Sequence, residues 1–402
     1  MAAARNAAAL ATLVFSSISI TACASILGYD SLSAREDARD ATPTLDAPHA
    51  DQSTLDAPPA DGLDAEASPP LEAPVRPPDR PTGAAVASGK GKTLWLIVKH
   101  FFLGAHTSSG VTTKDAWRGW GYDLDHVCTS PKQSEENVGT CKRVVDANPD
   151  ILTDGDGCRD NNFGSQLIPL VQFYYRSFED DANAGIERGN NTWILSIEDL
   201  DDGVDDPYAP GKLYKAGSWS DYGRSTPKFD GTDVREVEDI SVNGDLAHPK
   251  TTFPLGYVRG NTWVSGDGEA FVASVPLSSV NTDLDLVGTR LTLKLADDHT
   301  TGGLGVLAGA LPEAKVDALL IPIASAGGFC PGSSIYQALR KSVTQSFDLV
   351  GDAPNLQSTS VTCDALSMGI GFVVAPIMPV TTVVGTPPPV TTACDDAGVG
   401  GG

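Results

Sequence analysis

Residues 24 to 92 differ so strongly in composition from the rest of the chain that they cannot share its fold. Ten prolines lie between Pro43 and Pro81, Ala and Asp are frequent, and clusters of aliphatic residues are nearly absent. Such a segment buries too little apolar surface to offset the entropy lost on folding. The motif Thr-Leu-Asp-Ala-Pro occurs at 44–48 and again at 54–58, as in low-complexity linkers. We therefore predict a disordered tether over residues 23–92.

The globular part follows at 93–376, and its patterns are typical of a sheet-rich protein. Alternation of apolar and polar residues over 289–295 predicts a half-buried strand. Short apolar runs bounded by Gly, Asp or Pro predict further strands. These runs lie at 193–197, 271–275, 305–308 and 370–374, and the globular character begins at 93–98.

Apolar residues at helical spacing predict a smaller number of helices. One stripe runs from Leu167 to Phe178, with Asn162 or Ser165 as its N-cap, and a second follows Ser333 as far as Phe347. A shorter helix is predicted near 314–320. We expect a mainly β (α+β) fold: an antiparallel β-sandwich-like core with two or three packed helices, and then a Thr/Pro/Gly-rich tail over 377–402.

The N-terminal residues predict export. Arg5 precedes an uncharged run from Ala7 to Ile20 that is too short to span a bilayer, which indicates a signal peptide over 1–22. The run ends in Ile-Thr-Ala-Cys23, which resembles the lipobox of bacterial lipoproteins. That resemblance implies diacylglycerol on the Cys23 thiol, and Ala24 after it favours the outer membrane. The alternatives are an ordinary signal peptide, or a short membrane anchor with a chance cysteine.

The charge balance excludes some partners. Lys+Arg 28 against Asp+Glu 52 gives a formal net charge of -24, so nucleic acid would be repelled and a basic membrane-binding patch is disfavoured. The uncharged stretch 368–385 is not expected to span a membrane, because Pro376 and Pro379 would break a helix there. Membrane contact is therefore expected through the lipid anchor alone.

Six cysteines remain after Cys23, an even number in an exported chain, and they predict three disulfides with fifteen possible connectivities. They are Cys128, Cys141, Cys158, Cys330, Cys363 and Cys394. Cys128 with Cys141 is the closest pair, and Cys330 with Cys363 would join a helix to the sheet. Cys158 with Cys394 is left by elimination. A metal site is the alternative, but the chain has no CxxC pair.

Two acidic loops contain the candidate ligands for Ca²⁺, which takes six to eight oxygen atoms. The candidates are Asp154, Asp156 and Asp160 in the first loop, and Asp199, Asp201 and Asp205 in the second. Neither loop has the spacing of an EF-hand. The alternative is that both loops are solvated turns or helix caps. From the sequence we expect no cofactor to be required, with calcium as the one candidate.

Three tryptophans are candidates for stacking on sugar rings, namely Trp117, Trp120 and Trp219. Aromatic residues in a sheet protein are more often part of the core. Motifs of catalysis are missing: no GxSxG or HExxH occurs, and Val86 replaces the first glycine of a phosphate loop before Gly91-Lys92-Thr93. A pair of carboxylates for glycoside hydrolysis cannot be selected from sequence, since its distance depends on the fold.

Three segments resemble parts of uncharacterised secreted lipoproteins common in myxobacterial genomes. They are Trp120–Asp125, Asp160–Gly164 and Cys363–Phe372. The resemblance implies an exported protein and no activity. We therefore predict a non-enzymatic, lipid-anchored protein of the cell envelope with a binding or structural role and a polysaccharide or protein partner. A calcium-dependent carbohydrate-binding or adhesion domain is the alternative, followed by an extracellular hydrolase.

Overall fold

The computed structural model describes residues 73–174, 176–219, 226–266, 271–277, 280–326 and 328–387, together with Cys394. The signal peptide, Cys23, most of the tether and most of the tail lie outside these residues. No helix within the described part of the chain is long and apolar enough to cross a bilayer. The uncharged stretch at 368–385 begins as a strand.

The alternating and apolar segments form strands wherever the sequence predicted them. The strands are β1 Lys92–Phe102, β2 Trp193–Leu200, β3 Gly211–Lys215, β4 Val237–Glu238, β5 Thr251–Phe253, β6 Tyr257–Arg259, β7 Thr262–Val264, β8 Phe271–Leu277, β9 Val280–Leu295, β10 Gly302–Pro312, β11 Ala365–Pro376 and β12 Val383–Val384. Ten of them form one antiparallel sheet in the order β5-β3-β2-β1-β11-β10-β9-β7-β6, with β8 paired to β9. The mainly β, antiparallel prediction is confirmed. A small parallel pair, β4 with β12, lies beside it.

Strand β11 occupies the middle of the sheet, between β1 and β10. Nearly all of its residues are buried. Because both of its faces are covered, its sequence is a continuous run of apolar and small residues and does not alternate. Alternation is seen in β1, where Leu96 and Val98 lie in the main core while Ile97 packs in a second cluster on the other face. Both faces of the sheet are therefore covered.

The sheet curls until its two ends meet, so both sides of the core come from one sheet. Trp263 of β7 packs edge-on against Phe253 of β5, with ring centroids 5.7 Å apart. Its indole N–H donates to the Ala209 carbonyl at 2.8 Å. A Cβ on Gly211 of β3 would lie 2.5 Å from the Trp263 ring, so only glycine admits this contact.

The described α-helices are α1 Pro131–Glu135, α2 Ile168–Tyr174, α3 Phe178–Glu187, α4 Glu313–Ala326 and α5 Ser334–Thr344, and a π-helix over Phe163–Leu167 runs directly into α2. Ser333 caps α5 as predicted, its hydroxyl accepting from the Tyr336 N–H at 3.2 Å. The single helix expected from Leu167 to Phe178 was wrong, since α2 ends at Tyr174 and α3 begins at Phe178. Three acidic residues in the first turn of α3 favour a new helix start there.

The prediction of three disulfides is confirmed, but the favoured pairings were wrong. The bridges are Cys128–Cys158, Cys141–Cys363 and Cys330–Cys394. Backbone pairing decides the first two. The Thr129 carbonyl accepts from the Asp154 N–H, which places Cys128 beside Cys158, and the Cys363 N–H donates to the Lys142 carbonyl, which places Cys363 beside Cys141. The spacing of the cysteines in the sequence does not indicate which loops are hydrogen-bonded to each other.

Candidate functional site

Three buried aspartates converge next to the middle of the sheet. One carboxylate oxygen from each of Asp123, Asp125 and Asp160 lies within 4.8 Å of one from each of the others. We call these three residues the aspartate triad. Only Asp160 was among the predicted calcium ligands. Asp123 and Asp125 were missed, although an Asp-x-Asp directly after an aromatic stretch is a signal that could have indicated them.

Hydrogen bonds join the two triad loops to each other and to β11. The Asp160 N–H donates to the Tyr122 carbonyl at 3.0 Å, and the Asn161 Oδ1 atom accepts from the Gly369 N–H at 2.9 Å. A Cβ on Gly121 would lie 2.9 Å from the Asp160 carbonyl oxygen, and the φ of Gly121 is +104°, so glycine is required there. Parts of the segments 120–125, 160–164 and 363–372, for which the sequence predicted a family resemblance, therefore meet at this site.

Each triad carboxylate has specific hydrogen-bond donors. Asp125 accepts from the Val127 N–H at 2.8 Å and from the Thr140 hydroxyl. Asp160 accepts from the Leu124 N–H at 2.7 Å. The Asp123 Oδ2 atom accepts from the Arg76 guanidinium, with Nη2 at 2.6 Å.

The Asp123 Oδ1 atom is different, because it is buried and has no hydrogen-bond donor among the described residues. The Asp123 side chain is only 1% exposed. A buried oxygen of a carboxylate normally has a partner, since leaving it without one costs roughly 1–3 kcal/mol. This oxygen is the feature of the site that hydrogen bonding within the described chain does not explain.

Two further aspartates surround the triad. Asp348 accepts from the Ser367 N–H at 2.8 Å and from the Ser367 hydroxyl at 2.5 Å. The Asp154 Oδ2 atom accepts from the Thr129 N–H at 2.7 Å. Burial raises the pKa of Asp125 to about 6 and that of Asp348 to about 8, and it also raises the pKa values of Asp154 and Asp160. Burial is the largest cause of these shifts, and repulsion among the neighbouring carboxylates contributes to them.

The other predicted calcium ligands do not join the triad. Asp156 is exposed. Asp199 accepts from the backbone N–H groups of 88, 89 and 91, and Asp201 accepts from the Ser88 hydroxyl at 2.9 Å. Asp205 pairs with Arg259 at 2.8 Å. The second acidic loop thus binds neighbouring chain segments, which its composition could not indicate.

The three tryptophans do not form an exposed stacking platform, because all of them are buried. Trp120 stacks on Phe102, with ring centroids 4.7 Å apart, and its ring also lies so close to Gly371 that a Cβ there would be 2.2 Å from it. The Arg118 and Arg235 guanidinium groups cover the rings of Trp117 and Trp219 at 4.9 and 4.7 Å. A carbohydrate-binding site was expected to show an exposed aromatic face beside the acidic loops. These three tryptophans do not form such a face.

A pocket of about 220 Å³ lies between α2 and α5. Its apolar lining is Ile151, Leu167, Leu170, Val343 and Leu366, and its polar lining is Asn148, Gln166, Ser342, Gln345 and Ser346. No carboxylate, histidine or cysteine is among these lining residues. The pocket therefore brings together no pair of groups suited to acid–base or nucleophilic catalysis.

Comparison with known protein families, with curated proteins and with solved structures finds no match to this chain. The resemblance to myxobacterial lipoproteins consequently stays a prediction.

Proposed function

We propose that this chain is an exported, lipid-anchored protein of the cell envelope, at the outer membrane, with a non-catalytic binding or structural role toward a surface polysaccharide or protein. Three disulfides are typical of proteins in extracellular or other oxidising compartments. That environment agrees with export through the predicted signal peptide. The lipobox-like Cys23 supplies the proposed attachment to the membrane.

The observation that carries the proposal is the path of residues 73–91, the end of the Pro-rich segment. These residues lie along the domain. The Val75 N–H donates to the Gly157 carbonyl, and the Val75 carbonyl accepts from the Asp123 N–H. Arg80 donates to the Pro207 carbonyl at 2.8 Å and lies over the Tyr257 ring at 4.5 Å. A tether attached this way joins the sheet through several separate contacts.

Such attachment suits a protein that is held at a membrane by its N-terminus. A force that pulls on residue 73 would act first on the Val75 hydrogen bonds and on the Arg76–Asp123 ion pair. The contacts of Arg80 would carry the force only after these had broken. The Pro-rich segment before residue 73 has the composition of an extended spacer. The proposed role of the segment is therefore to hold a rigid domain away from the lipid surface.

The non-catalytic part of the proposal is supported by the burial of the acidic groups. The triad carboxylates are almost inaccessible, whereas a general acid or base must reach its substrate within hydrogen-bond distance. The pocket between α2 and α5 lacks titratable catalytic groups in its lining.

Replacing Cys23 tests the proposed anchor. We expect the Cys23→Ala chain to leave the membrane fraction and to lack diacylglycerol, because no thiol remains to accept it. Fractionation of envelopes and mass spectrometry of the N-terminal peptide measure both effects. The matched control is Ala24→Ser, which keeps the thiol and should stay in the membrane fraction. Recovery of Cys23→Ala in the membrane fraction at the wild-type level would contradict the proposal.

A further inference from the structure

We propose that Asp123, Asp125 and Asp160 bind one Ca²⁺ ion. The proposed site goes beyond the envelope function and does not depend on lipidation of Cys23. It differs from both acidic loops predicted from the sequence, since only Asp160 is shared with them.

The spacing of the carboxylates fits a cation of this size. Ca²⁺ lies about 2.3–2.6 Å from its oxygen ligands, so two ligands on opposite sides are about 4.6–5.2 Å apart. One oxygen from each triad residue lies within 4.8 Å of the others, so a point between them is close to the Ca²⁺–oxygen distance from all three. The three side chains come from two loops that backbone contacts already fix, so little ordering is needed on binding.

The unpartnered oxygen of Asp123 is an independent indication of a ligand. Its Oδ2 atom is bound by Arg76, while the buried Oδ1 atom has no donor among the described residues. A cation bound to this oxygen would offset its desolvation, as hydrogen-bond donors do for the carboxylates of Asp125 and Asp160.

The charge of the site also matches a divalent ion. With all three carboxylates ionised, the triad and the Arg76 guanidinium would sum to a formal charge of −2, and one bound divalent cation would make that sum zero. An uncompensated buried charge costs several kcal/mol, which is the physical reason for a cation there. Arg76 keeps its own role, because it neutralises the oxygen of Asp123 that faces the segment 73–91.

Calcium fits better than the other common divalent ions. The triad offers oxygen atoms alone, which favours Ca²⁺, Mg²⁺ or Mn²⁺ over Zn²⁺ and Cu²⁺. Mg²⁺ keeps several bound waters and needs near-ideal octahedral geometry at 2.0–2.1 Å. Ca²⁺ accepts irregular coordination by six to eight oxygens, of which the buried triad supplies one from each of its three carboxylates, so it is the better match to this site.

Titration of the full-length protein with CaCl₂ tests the site, after removal of metal with EDTA and in detergent. We expect one Ca²⁺ per chain by calorimetry and a thermal midpoint that rises with Ca²⁺ and much less with equal MgCl₂. A wild-type protein that shows neither binding heat nor a shift of the midpoint at 1 mM CaCl₂ would overturn the proposal. This measurement needs no variant and so does not depend on a variant's folding.

Variants then locate the ion. Asp160→Asn keeps an oxygen that can accept from the Leu124 N–H but removes one charge, and we expect the Ca²⁺ affinity to fall at least tenfold. Asp125→Asn should act similarly. The control is Asp156→Asn, an exposed position in the same loop, which should bind as the wild type does. Equal weakening by Asp156→Asn, or unchanged affinity in Asp160→Asn, would place the ion elsewhere and overturn the assignment.

Discussion

Removing the Cys141–Cys363 disulfide is expected to lower the free energy of unfolding by about 5.5 kcal/mol. The two cysteines are 222 residues apart, so the bridge restricts the unfolded chain more than the other two do. Loop-closure entropy gives about 5.5 kcal/mol for a loop of this length. The double variant Cys141→Ala/Cys363→Ala, unfolded with urea at constant Ca²⁺, measures the loss.

The matched control is the pair Cys128→Ala/Cys158→Ala, whose bridge spans 30 residues. The same entropy argument gives about 3.5 kcal/mol for it. Cys141, Cys158 and Cys363 are buried and Cys128 is half-buried, so both double variants leave small cavities, and that of the control pair is the smaller. A smaller loss for Cys141→Ala/Cys363→Ala than for the control pair would contradict the argument from loop length.

Without divalent cations, the protein is expected to be less stable at pH 8 than at pH 5. Burial raises the pKa of Asp348 to about 8 from an ordinary value of 3.8, against the opposing effect of its bonds to Ser367. Between these values the folded state keeps a proton that the unfolded state has released, so the free energy of unfolding falls as the pH rises. Three pH units correspond to about 4 kcal/mol for this group.

Urea unfolding in EDTA at pH 5 and pH 8 measures the difference. Asp348→Asn should reduce it by the share that this carboxyl contributes, because the amide does not titrate and can still accept one bond from Ser367. The remaining difference has the same sign, since burial raises the pKa values of Asp154 and Asp160 as well. Asp156→Asn, at an exposed position, should leave the difference as in the wild type. Equal stability of the wild type at the two pH values would show that Asp348 is ionised in the folded protein.

Prediction from the sequence was most successful where a local pattern decides the structure. Alternation and short apolar runs located β2, β8, β9, β10 and β11, because the side-chain period of a strand is a property of the strand itself. The Ser333 cap located the start of α5 for the same reason. The break between α2 and α3 was missed, since an apolar stripe continues across it.

The point where the Pro-rich segment joins the folded domain depends on contacts that composition does not show. Residues 73–91 lack an apolar core of their own, yet Arg80 and the backbone of Val75 bind them to the domain. At the other end, Ile377 and Val380 are buried, so part of the predicted tail packs on the domain as well.

The sequence by itself determined the sheet-rich class, the presence of three disulfides and the concentration of acidic residues in the folded part. These are properties of composition and short-range pattern. Only the tertiary structure decided which cysteines pair, and that Asp160 meets Asp123 and Asp125 instead of its neighbour Asp156. The physical reason is that both outcomes depend on loops distant in sequence that backbone hydrogen bonds bring side by side, here around β11 and its glycines.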